Sequence, residues 1–172
     1  MNNRFSKVST ETIKENPFKL IGDQWMLITA GDMQKWNTMT AAWGGLGFLW
    51  KRDVSYCFVR PNRYTYGFME AAEYYTLSFF SEKHRDALQY CGTYSGRDVD
   101  KAKETGLEPV ECGNGTVSFS QARLVLVCRK LYADDIDPEL FIDESLDRLY
   151  PAKQYHRLYI GEIADCLVGT DS

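Results

Sequence analysis

Two arginines and a threonine stand just ahead of a predicted helix in Val59-Arg60-Pro61-Asn62-Arg63-Tyr64-Thr65, an arrangement that suits capture of an anion. Unpaired N–H groups at a helix start, the positive end of its dipole and a guanidinium fork all favour a phosphate. Pro61 fixes the local backbone and can hold Arg60 in one direction. The same residue types also fit a solvated loop whose arginines pair with neighbouring acids. A second basic loop follows in Ser95-Gly96-Arg97-Asp98. Gly96 would let a ligand approach the main chain, and Arg97 could reach an anion or the polar edge of a ring. Ser95 or Asp98 equally suits the cap of a surface helix. Upstream, Asn37-Thr38-Met39-Thr40-Ala41-Ala42-Trp43-Gly44-Gly45 leads into a hydrophobic, tryptophan-bearing loop. In an extended chain Thr38 and Thr40 point one way and Asn37, Met39, Ala41 and Trp43 the other, so two hydroxyls line a patch about 7 Å long. A planar heterocycle with polar edges needs such donors and acceptors beside small residues. A solvent-facing threonine pair on a half-buried strand has the same composition.

The remaining chemistry-bearing residues narrow the choice. The chain has two histidines, too few for a three-histidine zinc site, and contains no GxSxG, HExxH, GxGxxG or GxxxxGK[ST] pattern. His156 precedes a strand pattern, where a lone histidine is more often structural, and is kept as a candidate catalytic residue. Cys57, Cys91, Cys112, Cys128 and Cys166 are too widely spaced for a CxxC pair and are expected as reduced, semi-buried thiols. A net charge of −4 argues against non-specific nucleic-acid binding, so any bound anion needs a local basic cluster. The first twenty residues lack the apolar core of a signal peptide and no run suits a membrane span, giving the expectation of a soluble, cytoplasmic protein with no membrane partner.

These residues need a scaffold, and 172 residues at 44% hydrophobic suit a single core. Neither repeats nor a linker divide the chain, so we expect an arm over residues 1–15 and one domain over 16–172. Strand patterns cover 24–30, 37–43, 54–59, 74–80, 117–120, 121–132 and 155–165. Arg123 to Arg129 is apolar on both faces between its arginines, as in a strand buried on both sides, in a barrel wall or at a dimer interface. Gly113-Asn114-Gly115 predicts an antiparallel hairpin turn. Short helices are predicted over 65–72 with Thr65 as N-cap, over 82–90 capped by Ser81 and ending near Gly92, over 98–105 ending at Gly106, and from Pro138. Strands outnumber helices without regular alternation, which points to a mainly β, antiparallel barrel with short helical insertions. Aromatics at 14% leave rings for a pocket or a subunit interface.

In order and spacing, NTMTAAWGG, VRPNRYTYGFME, YTLSFFSEKHRDALQYCGTYSGRDVDK and YHRLYIGEI resemble the flavin reductase-like family, and within it the flavoredoxin-like branch. The resemblance covers roughly residues 15–166. It implies a Greek-key split β-barrel, a homodimer binding FMN near its interface, and hydride taken from NADH or NADPH for a flavin, iron or other small acceptor. Carried over by residue, Thr38, Met39 and Thr40, with Asn37 beside them and Trp43 close by, would border the isoalloxazine. Arg60, Arg63, Tyr64 and Thr65 would hold the phosphate. Ser95, Gly96 and Arg97 would close the other side, and His156 would lie near flavin and nicotinamide. Lys101 and Cys91 match only by their proximity. The family also holds electron carriers reduced by a redox-partner protein, and a non-catalytic flavin-binding protein could reuse the barrel. Because the hydride chemistry belongs to the cofactor, no acid–base triad is required.

Overall fold

A computed structural model describes residues 4–170. Residues 1–3 of the expected arm and 171–172 of the expected domain lie outside them. The β-branched and aromatic runs form β1 (Phe5–Val8), β2 (Met26–Gly31), β3 (Trp36–Ala41), β4 (Gly44–Leu49) and β5 (Arg52–Val59), then β6 (Tyr74–Phe79), β7 (Pro109–Cys112), β8 (Thr116–Phe119), β9 (Leu124–Asp135) and β10 (Arg157–Gly169). Between them stand α1 (Tyr64–Ala71), α2 (Arg85–Thr93) and α3 (Lys101–Thr105).

The main sheet is antiparallel and runs β3-β2-β6-β9-β10-β5-β4, with β1 added along the far end of β10. Hairpins β2–β3 and β4–β5 therefore sit at opposite ends, with later strands between them. Yet only Ala42 and Trp43 separate β3 from β4, and three Cα steps reach at most about 11 Å. The sheet must curl until its two ends nearly meet, giving a barrel that stays unclosed along the β3/β4 seam. Gly44 makes the approach possible: a Cβ there would lie 2.5 Å from the Tyr56 carbonyl oxygen and 3.2 Å from Cε of Met26.

Alternation along the central strands divides the core. Met26, Ile28, Leu77, Leu126, Tyr75 and Tyr159 fill the inside of the curl, whereas Leu27, Val125 and Val127 face outward beneath Leu88 of α2 and Phe119 of β8. Leu124 to Cys128 are all buried, as a strand covered on both faces requires. Gly113-Asn114-Gly115 makes the expected turn of the β7–β8 hairpin, with Asn114 and Gly115 at φ 60° and 69°.

Several local expectations are corrected. Residues 5–8 of the polar arm form β1 against β10, and the tryptophan-bearing loop is β4 followed by a turn in which Trp50 and Lys51 both have positive φ. Phe18–Asp23 forms an unpredicted π-helical turn. The N-cap of α1 is Arg63, two residues ahead of Thr65, the expected cap, and among the described residues no side chain caps it. Ser81 opens a 3-10 turn without a side-chain cap bond, and α2 passes through Gly92 to end at Thr93. Asp100, rather than Ser95 or Asp98, caps α3 by accepting from the Lys103 N–H, and Gly106 ends it in the left-handed region.

Candidate functional site

Strand β3 lies between helices, and its alternation decides what each side chain can do. Asn37 points toward α1 and donates through Nδ2 to the Thr65 hydroxyl at 2.8 Å. Thr38 points the other way into the sheet; its hydroxyl bonds the Thr29 hydroxyl at 2.8 Å and donates to the Ile28 carbonyl at 3.2 Å. Thr40 donates to the Leu88 carbonyl of α2. The two threonine hydroxyls do share a face, as expected, but both are used within the protein. Thr38 is buried and lines neither cavity described below.

Two adjacent cavities, of about 120 and 210 Å³, share Met39, Thr40 and Arg63. The first lies between β3, the start of α1 and the α2–α3 connection. Arg63, Tyr64, Thr65, Ser95, Gly96 and Arg97 line it, together with Lys101. The α2–α3 connection is pressed onto β3: a Cβ on Gly96 would fall 2.0 Å from Oδ1 of Asn37 and 3.3 Å from the Tyr64 ring. Ser95 Oγ accepts the Arg97 N–H at 3.2 Å, and the Arg97 guanidinium lies 5.0 Å from the centre of the Tyr64 ring. Lys101 is only 6% exposed, and its Nζ donates to the carbonyls of Thr38 and Cys91, each at 2.7 Å. Burial depresses its pKa, with the neighbouring Arg63 adding to the effect. The uncapped start of α1 opens on the same cavity. Among the described residues, three cations and no carboxylate line it.

The second cavity is bounded by Trp43, Phe58, Arg60 and His156. Trp43 and the His156 ring are 4.8 Å apart, and Nδ1 of His156 bonds the Tyr150 hydroxyl at 2.9 Å. Burial, reinforced by Arg60 and Arg63, brings the His156 pKa down to about 4, so the imidazole is neutral near pH 7. Arg60 donates to the Leu149 carbonyl at 3.3 Å and stacks its guanidinium over Tyr150. It lines this cavity and not the first, away from Tyr64 and Thr65, with which it was expected to act.

A larger hollow of about 950 Å³ shares Arg63, Tyr64 and Arg97 and continues over the outer face of α1. It lacks β3, so volume does not single it out as the site. Sequence reasoning left Lys101 at the margin and missed Phe58 and Tyr150. Phe58 was accessible in principle, since it lies two residues from Arg60 on an extended chain and so on the same face.

Residues 21–172 match the model of the family described as flavin reductase like domain. The chain belongs to this family. Among solved structures, this flavin reductase-like chain is similar to an FMN-binding domain of a flavin reductases-like enzyme from Shewanella baltica OS155, 17% identical over 99% of this chain and 80% of that one, with a TM-score of 0.69. Flavoredoxin of Desulfovibrio vulgaris (Miyazaki F) is 22% identical over 95% and 76%, at 0.66. The NADH:FAD oxidoreductase of Streptomyces globisporus C-1027 is 13% identical over 85% and 78%, at 0.64. At such identities the likeness is one of fold. No curated protein sequence matches.

Proposed function

We propose that this flavin reductase-like chain is an oxidoreductase that holds FMN across the two adjacent cavities and passes electrons from NADH or NADPH to a flavin, iron or other small acceptor. The observation that carries the reading is the convergence of Arg63, Arg97, Lys101 and the uncapped α1 terminus on a small cavity with no carboxylate among its described lining residues. A phosphomonoester brings roughly 1.5 to 2 negative charges near pH 7 and matches that donor set. Arg63 joins this end to the second cavity, where the rings of Trp43, Phe58 and His156 beside Met39, Ala41 and Ala42 offer walls that suit a ring system.

When bound, FMN supplies the hydride-accepting and electron-transfer chemistry. The chain's own residues then bind and orient it. Lys101 holds positive charge beneath β3 with two of its three donors already anchored. Arg60 places fixed positive charge at the other end of the cleft, where reduction adds negative charge, as preorganised electrostatic stabilisation requires. Tyr150 occupies Nδ1 of His156, so Nε2 is the nitrogen left to meet a ligand. The same reading takes the working unit as a homodimer, supported by the open edge of β4, where Phe48, and Trp50 in the turn just beyond it, are exposed.

Steady-state oxidation of NADH and of NADPH, with and without added FMN, tests the activity. The reading expects turnover that depends on FMN with at least one nucleotide. An FMN-loaded chain that oxidises neither would be an electron carrier instead.

A further inference from the structure

The excursion from β9 to β10 has a composition that the flavin reading does not use. Residues 134–149 hold seven carboxylates and one arginine, more negative charge than the whole chain's net of −4. Among these acids, Leu140 and Ile142 are 76% and 102% exposed, and Leu146 and Leu149 41% and 45%. Four exposed aliphatic side chains within ten residues of chain supply apolar surface of the kind that marks an interaction site. The segment is well anchored. Asp137 and Asp143 accept the N–H groups of Glu139 and Ser145 and fix its two 3-10 turns, and Tyr155 donates to Asp147 at 2.6 Å. Glu139 and Glu144 stand at the exposed rim.

This patch is continuous with the cleft. Phe141, between the exposed Leu140 and Ile142, stacks on Tyr150 with centroids 6.3 Å apart at 23°. Tyr150 bonds His156, and His156 lies 4.8 Å from Trp43 in the second cavity. Arg60 ties the same segment to the cleft through the Leu149 carbonyl. An unbroken run of aromatic rings therefore joins the acidic, apolar face to the end of the cleft where the ring of FMN is proposed to lie.

We propose that the face formed by residues 137–149 docks a one-electron redox-partner protein that presents basic side chains around an apolar centre. The inference rests on the flavin reading. An apolar centre with a charged rim is the anatomy of a transient interface, and opposite potentials raise its rate of encounter. A second copy suits the face poorly, because a two-fold contact would set five carboxylates against five. Each encounter passes one electron between the cofactor and the partner's centre. Oxidation of one fully reduced cofactor thus takes two encounters and releases its two protons to solvent.

Cytochrome c, a basic one-electron haem protein, is the probe. Its binding to the chain is measured by calorimetry at low ionic strength, and its reduction by the FMN-loaded, pre-reduced chain by stopped flow, beside menadione as a neutral small acceptor. Glu139→Lys with Glu144→Lys, and separately Ile142→Ser, alter exposed side chains; Glu11→Lys with Glu111→Lys makes the same net change elsewhere. The proposal expects salt-sensitive binding and a loss of about tenfold in both binding and haem reduction for the first two variants, with the control pair and menadione rates nearly unchanged. Equal losses in the control pair, no loss in either local variant, absence of cytochrome c reduction by a flavin-loaded chain that reduces menadione, or a change of oligomeric state in the Glu139/Glu144 variant would overturn it. Failure to bind FMN would instead sink the flavin reading.

Discussion

Arg63 ends the extended chain before α1, lines both cavities and meets the phosphate end of the proposed ligand. Arg63→Ala is expected to weaken FMN binding by about 10- to 100-fold, the range of a charge-assisted hydrogen bond, as read from quenching of FMN fluorescence. Thr40→Val should behave differently, because the hydroxyl serves the Leu88 carbonyl: a stability loss of about 1 kcal/mol in urea unfolding is expected, with a smaller change in FMN affinity. His156 gives a pH signature. Its folded-state pKa of about 4 lies below the ordinary value near 6.5. The unfolded chain therefore binds more protons between those values, and stability must fall as pH drops through that window. His156→Gln should lose less stability than wild type between pH 7 and 4.5, and parallel pH profiles would contradict this. At this scale the sequence showed which residue types were present but not which atoms were already engaged. Thr38 and Thr40 could be placed on one face by alternation, whereas their partners, Thr29 and Leu88, come from other elements. Lys101 was obscured for the same reason, since its burial depends on how α3 folds back on β3.

At the scale of elements, the site depends on three segments pressed together: β3, the start of α1 and the α2–α3 connection. The contact at Gly96 leaves no room for a side chain. Gly96→Ala should push Asn37 away from Thr65, lower stability by about 1 to 3 kcal/mol and weaken FMN binding at once. A variant with unchanged unfolding and unchanged affinity would mean that the connection is not held as described. Most strands were legible because they are β-branched, aromatic and bounded by turn residues. Strand β4 was not, because Gly44, Gly45 and Gly47 dilute its pattern, and their role is set by Tyr56 on the neighbouring strand. Strand β1 was hidden for a different reason: FSKV is short, with two polar residues at its centre, and only pairing with β10 makes it a strand. The start of α1 was misplaced by two residues because Thr65 looks like a cap, whereas its hydroxyl is buried against Asn37.

For the whole molecule, the decisive feature is the seam. Ala42 and Trp43 join strands from opposite ends of the sheet, so the same nine residues, NTMTAAWGG, curl the barrel and floor the cleft. Four ordered motifs carried the fold and the family, while the open seam, the paired cavities and the acidic face beside them emerged only from three-dimensional contacts. The central claim is that the cleft holds FMN through its phosphate as well as its ring. Parallel fluorescence titrations of the unloaded chain with FMN and with riboflavin, which lacks the phosphate, test it most directly. Saturable quenching at one FMN per chain is predicted, with riboflavin binding at least about tenfold more weakly. Equal affinity for the two, or no saturable binding of FMN, would contradict it.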